Sequence, residues 1–294
     1  MVNSREALLK TLLYAEIFDF PLNKKEIYQY LISEKKVSQS RVYSDLKLLK
    51  NKINSRNGYF FINNKEKLVS KRIRREAESE KKIIFALKII KKLTFIPTLK
   101  FIGISGALSM KNCEENDDID LFVITEEKTV WITRLMLVFI LKFLRVYRGR
   151  DDKNIKNKIC LNMITDDKNF VFLEKDINLY TAHEISQLIP VFDKKNTYKK
   201  FIKSNKWVNN FLPNFKFNKT PYLKNKNNFL DDLIVDVLKD SSIEKFVKFL
   251  QFKHMEKFIT NERVSDGFIA FHPFNYRHYI LKNYEQKLKK HNII

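Results

Sequence analysis

The stretch Phe101–Thr125, FIGISGALSMKNCEENDDIDLFVIT, decides how the rest of the chain is read. It reads as a strand, a turn of small residues, a polar connection and a second strand carrying Asp118 and Asp120. The chain has 294 residues and only five glycines, and two of these, Gly103 and Gly106, fall here. Glycine this sparse belongs where backbone comes close to a neighbour or takes a positive φ. Asp118 and Asp120 stand two apart, so on a strand both carboxylates share one face, about 6–7 Å apart along the chain. Two acids side by side repel unless a cation lies between them. Magnesium is the natural candidate, because it is hard, takes oxygen ligands and accepts one or two carboxylates with phosphate oxygens. Ile119 and Leu121 alternate with the acids as a strand requires and a solvated turn would not.

The rest of the composition sets bounds on the function. An apolar fraction of 44% is enough for a packed core. The two cysteines, Cys113 and Cys160, have neither CxxC nor Cys/His spacing, which argues against a zinc-type site and a disulfide framework. No secretory pattern opens the sequence, and the expected setting is cytoplasmic. The most apolar run, Val130–Leu144, is interrupted by Arg134 and Lys142 and falls short of the roughly 20 residues a membrane span needs. It is expected to be a buried helix, with no membrane partner. Arg134 in its first turn is expected either to reach solvent or to meet an anion. The net charge of +22 suits a polyanion such as nucleic acid or a nucleotide. The lysines are nonetheless spread along the chain, and its richness in Lys, Asn, Ile and Phe also suits an AT-rich coding bias.

Upstream of the central stretch, apolar residues at helical spacing predict a helix over 5–18. Asn23 can cap a second helix, and Ser38 or Ser40 a third. Asn57-Gly58 between β-prone runs signals a hairpin. Three helices and a hairpin is the winged-helix order, whose third helix would here offer Arg41, Lys47, Lys50 and Lys52, with Arg56 on the hairpin. DNA binding and a purely packing role are both compatible with this. Residues 66–93 predict a long connecting helix whose basic run, residues 71–75, reads as a solvated face. Downstream, Lys158–Thr165 reads as a strand and 176–189 as a helix stopped by Pro190. Residues 198–294 read as mostly helical. His183 and His272 are expected to be packed or surface residues rather than general bases.

GISGALSM followed by DDIDLFVIT resembles the signature of the DNA polymerase β-like nucleotidyltransferase superfamily. The resemblance covers residues 95–190 best. It implies an α+β fold: a winged-helix-like domain over 1–75, a nucleotidyltransferase core with a short mixed β-sheet over 76–195 and a helical C-terminal region over 196–294. It also implies transfer of a nucleoside monophosphate from a nucleoside triphosphate to an acceptor that could be a protein, a small molecule or RNA. Asp118 and Asp120 would be the catalytic acids and magnesium ligands, and Ser105, Gly106, Ala107 and Ser109 the nucleotide-binding turn.

Two positions depart from the pattern. The serine that usually follows the glycine is Ala107, leaving Ser105 or Ser109 to take its part. A third carboxylate usually comes from a later strand, but KICLNMIT offers only Asn162. Asp151, Asp152, Asp166, Asp167 and Glu184 lie nearby in sequence without a spacing that selects one. The alternative is a degenerate member of the superfamily that binds or regulates, including one that holds nucleic acid on the winged helix.

Overall fold

The computed structural model describes residues 3–62, 66–217, 219–224, 229–256, 263–270 and 274–293; His272 lies outside them. The N-terminal part runs α1 (Ser4–Glu16), β1 (Leu22–Asn23), α2 (Lys24–Gln29), α3 (Gln39–Leu48), β2 (Asn54–Arg56) and β3 (Tyr59–Phe61), followed by the long α4 (Lys67–Lys91). Its strands form a small antiparallel sheet in the order β1-β3-β2. The caps are local: Asn23 and Glu26 form a capping box on α2, and the Ser38 side chain accepts from Arg41 N on α3.

The central part runs β4 (Leu99–Ile104), α5 (Gly106–Ser109), β5 (Ile119–Thr125), α6 (Val130–Phe143), β6 (Ile159–Asp166), α7 (Leu179–Gln187) and β7 (Ile189–Asp193). The last part runs α8 (Thr197–Ser204), β8 (Leu223–Lys224), α9 (Phe229–Leu238), α10 (Ser241–Met255), β9 (Arg263–Val264), β10 (Phe268–Ala270) and α11 (Phe274–Lys290). Seven strands join in the order β8-β7-β4-β5-β6-β10-β9. β4 is antiparallel to both β5 and β7, whereas β5 and β6 are parallel. The fold is therefore mixed α+β with two sheets.

Alternation along β5 sorts the two faces of the large sheet. Ile119, Leu121 and Val123 join the core beneath α4 and α6, while Phe122 and Ile124 join the core shared with α1, α7 and α11. By the same period, Asp118 and Asp120 lie on the α1/α7/α11 side.

Three expectations need correction. Pro190 does not end a segment but sits inside β7, opposite Gly103. The register shifts between Ile102 and Gly103, and such an irregularity tolerates a residue without an N–H. The C-terminal region is not only helical, because β8 extends one edge of the sheet and β10-β9 the other. The basic run on α4 is not a solvated face. Arg72 is 2% exposed, lies 3.6 Å above the Phe20 ring and binds Glu26 and Glu76 at 2.7 and 2.6 Å. Arg75 binds Glu114 at 2.6 Å, tying α4 to the loop before β5.

Among the described residues, no helix is long and apolar enough to cross a membrane. The apolar α6 is instead fastened to α10. The Glu244 carboxylate accepts from Trp131 N and Ile132 N at 2.7 and 3.0 Å, and Arg134 donates to the Gln251 carboxamide. Arg134 thus lies in the interior, against the Gln251 carboxamide, rather than reaching solvent.

Candidate metal centre and adjoining cavity

Gly106 has φ of +62°, and a Cβ there would fall 2.5 Å from Asp120 Oδ2. Only glycine fits, because the backbone takes a left-handed conformation directly against the carboxylate. Ser105 N donates to Asp120 O at 2.9 Å, which fixes the turn onto β5. The loop before β5 is held from below by Lys82, which is 3% exposed. Its ammonium donates to Glu115 O, Asp117 O and Asn157 Oδ1 at 2.9, 2.7 and 2.9 Å. All three of its protons are thereby used in shaping the approach to Asp118.

Asp118, Asp120 and Cys160 each bring a ligand atom within 4.8 Å of the others. Cys160 was missed in the sequence because spacing alone does not give strand register. In the parallel pairing Cys160 stands opposite Asp120, and a register shift follows before Met163 meets Phe122. Asn162, beyond that irregularity, donates from Nδ2 to Ser105 Oγ at 3.4 Å. The position expected to hold a third carboxylate thus holds a thiol. Burial, and then Asp120 and Asp118, push that thiol's pKa up. Burial, and then Asp118, also raise Asp120 well above the usual carboxylate range.

Arg148 already binds Asp118 through Nη1. It reaches there because residues 147–148 run beside the start of β6, with Arg148 N donating to Ile159 O at 3.0 Å. The site therefore contains one built-in cation, only part-buried.

The small-residue turn is partly committed. Ser109 Oγ donates to Gly106 O at 2.7 Å, so its proton is used within α5. Ser105 is 5% exposed and accepts from Asn162, which leaves its own proton to give. Ala107 lines a neighbouring cavity. Of the acids left open by the sequence, Asp151 is exposed and Asp152 is bound to Lys158 at 2.7 Å. Asp166 accepts from Asn169 N at 2.9 Å, and Asp167 binds Lys100 at 2.5 Å. Glu184 is the one that comes near the pair: burial, and then Asp120, raise its pKa to about 7.

The cavity has a volume of about 260 Å³ and lies between the N-terminal helices, α5, α7 and α11. Asp120 borders it, as do Glu184, His183 and Tyr14. His183 is buried as a packed helix residue, stacked on Tyr14 with ring centres 4.3 Å apart, and burial lowers its pKa to about 3. Of the basic residues placed for nucleic-acid contact, Arg41 is paired with Asp45 at 2.9 Å and Arg56 with Glu66 at 2.6 Å.

No protein-family model, no curated protein and no solved structure matches the chain.

Proposed function

We propose that the chain is a metal-dependent nucleotidyltransferase, moving a nucleoside monophosphate from a nucleoside triphosphate to an acceptor. The observation that carries this reading is the placement of Asp118 and Asp120 on one sheet face against the glycine turn at Gly106. On this reading the sheet from β7 to β6 is a nucleotidyltransferase core, and the N-terminal part is a winged-helix-like accessory domain.

The residues suit a divalent cation. Asp120 is a buried carboxylate beside a second one, an arrangement that a bound cation relieves. Asp118 and Asp120 would hold magnesium through oxygen, and Cys160, a softer donor, suits manganese or zinc better than magnesium. Magnesium bound there supplies neutralisation of charge on phosphoryl oxygens. The chain's own residues supply the rest. Ser105 and the backbone of the turn orient phosphate, and the Arg148 guanidinium is released from Asp118 to pair with phosphate oxygens bidentately.

The test is calorimetric titration of each of the four nucleoside triphosphates with magnesium, followed by transfer of label from an α-labelled triphosphate. We expect magnesium-dependent binding that disappears in the double variant Asp118→Ala, Asp120→Ala. Absence of triphosphate binding to the unaltered protein overturns the reading.

A further inference from the structure

The cavity beside Asp120 is a binding site in its own right, and its lining identifies what it takes. The protein carries 56 lysines and arginines, yet none lines this cavity among the described residues. The charged groups that do are Asp120 and Glu184. Arg72, stacked on Phe20, is not in the lining; its Nη2 pairs with Glu26 and Glu76, while its Nε and Nη1 are buried without partners. His183 carries no charge, because burial holds it neutral. Away from the turn at Gly106 and Ala107, a phosphate or carboxylate would face acids with no cation among the described residues of the lining to receive it.

The walls are aromatic: Tyr14, Phe18, Phe20, Tyr30, Tyr180 and Tyr276. Aromatic faces with an acid among them attract organic cations, through the ring quadrupole and the carboxylate together. Glu184 has no hydrogen-bond or ion-pair partner among the described residues, and burial and then Asp120 raise its pKa to about 7, so a cation beside it would favour its ionised form.

Two buried polar atoms belonging to the same walls also lack partners. Tyr14 is 4% exposed and its hydroxyl is unpaired. His183 is 6% exposed. Its Nδ1 takes the Gln187 carboxamide N–H at 3.2 Å, which leaves the ring proton on Nε2, also unpaired. A buried donor without an acceptor costs about 1–3 kcal/mol, and since neither atom presents as much as 1 Å² to a water-sized neighbour, that cost belongs to the wall itself. The volume of about 260 Å³ is ample for a compact ion.

We propose that this cavity binds a compact organic ammonium ion, such as a small amino alcohol, with the cation between Glu184 and the aromatic walls. Its role as the acceptor substrate rests on the nucleotidyltransferase reading; its binding does not. As acceptor, its hydroxyl oxygen bonds to the α-phosphorus while the bond from that phosphorus to the bridging oxygen breaks. Pyrophosphate leaves with the electron pair, and the hydroxyl proton passes to solvent water.

The test uses the full chain without nucleotide or metal. Choline and ethanolamine are titrated against 3,3-dimethylbutan-1-ol, the uncharged isostere of choline, and against adenosine. At least one ammonium ion is expected to bind about tenfold more tightly than the isostere. Glu184→Gln, an isosteric change, should weaken that binding about tenfold, as loss of a charged partner does. Tyr276→Ala, at a position 44% exposed where folding does not depend on the ring, should weaken it several-fold. Failure of both ammonium ions, equal binding of the isostere, preferential binding of adenosine, or indifference to Glu184→Gln each overturns the proposal. The two readings fail separately. Loss of ammonium binding with magnesium–triphosphate binding intact removes only the cation site. Ammonium binding without triphosphate binding removes only the transferase.

Discussion

Gly106 and Asp120 form a single unit, since the space a side chain would need at Gly106 is already filled by the carboxylate. Gly106→Ala is expected to cost about 1–2 kcal/mol, from a left-handed backbone carrying a Cβ. It should also displace Asp120, and the check is to read thermal melting and manganese affinity together, both of which should fall. Arg148 gives a prediction of opposite signs. Arg148→Met leaves Asp118 without its cation, so manganese alone should bind more tightly while the triphosphate binds more weakly. If both affinities fall together in calorimetry, Arg148 does not exchange carboxylate for phosphate. Glu184 has a folded pKa of about 7 against an ordinary 4.5. The folded state holds its proton after the unfolded state has lost it, so this group's contribution makes stability fall as pH rises from about 4.5 to about 7. Glu184→Gln removes that penalty. Its stability relative to the parent should rise across the same window, by at most on the order of 2–3 kcal/mol. Urea unfolding of both proteins at pH 5 and pH 8 measures the difference.

At the scale of elements, period-2 alternation made β5 and the shared face of its acids readable from residues 118–124. The helices 130–143 and 67–91 were readable in the same way, from apolar spacing and length. What composition cannot supply is the register between strands distant in sequence. Cys160 enters the site because β6 pairs with β5 in parallel, and Asn162, past one irregularity in that pairing, meets Ser105. Pro190 was read as a stop for a similar reason: its place in β7 depends on the break opposite Gly103. The short β8, β9 and β10 exist because the large sheet offers them an edge, and their own sequences carry little strand signal. The start of α6 is likewise a long-range product. Its Thr129 cap residue makes no side-chain cap bond, and Glu244 from α10 receives the N–H groups instead. Glu244→Ala should therefore cost about 1–2 kcal/mol, as loss of a charged helix cap does. The cost should appear as a lower urea midpoint with unchanged slope.

Across the whole molecule, one apolar cluster runs from Leu8 on α1 through Phe122 on β5 and Ala182 on α7 to Ile280 on α11. The first and last helices are joined as well, by Lys287 to Glu16 at 2.9 Å and by the Tyr284 hydroxyl to Lys10 O at 3.2 Å. Regions that look separable in sequence share one interior. Calorimetric unfolding is expected to show one transition, and a separate early transition from the N-terminal part would contradict that sharing.

The cavity illustrates what such sharing entails. Its walls include Tyr14 and Tyr276, residues from opposite ends of the sequence. During synthesis Asp118 and Asp120 are complete, and their strands can pair, long before Tyr276 emerges from the ribosome. On the metal-dependent reading proposed above, a nascent chain would meet divalent cations at these acids before α11 supplies its wall of the cavity.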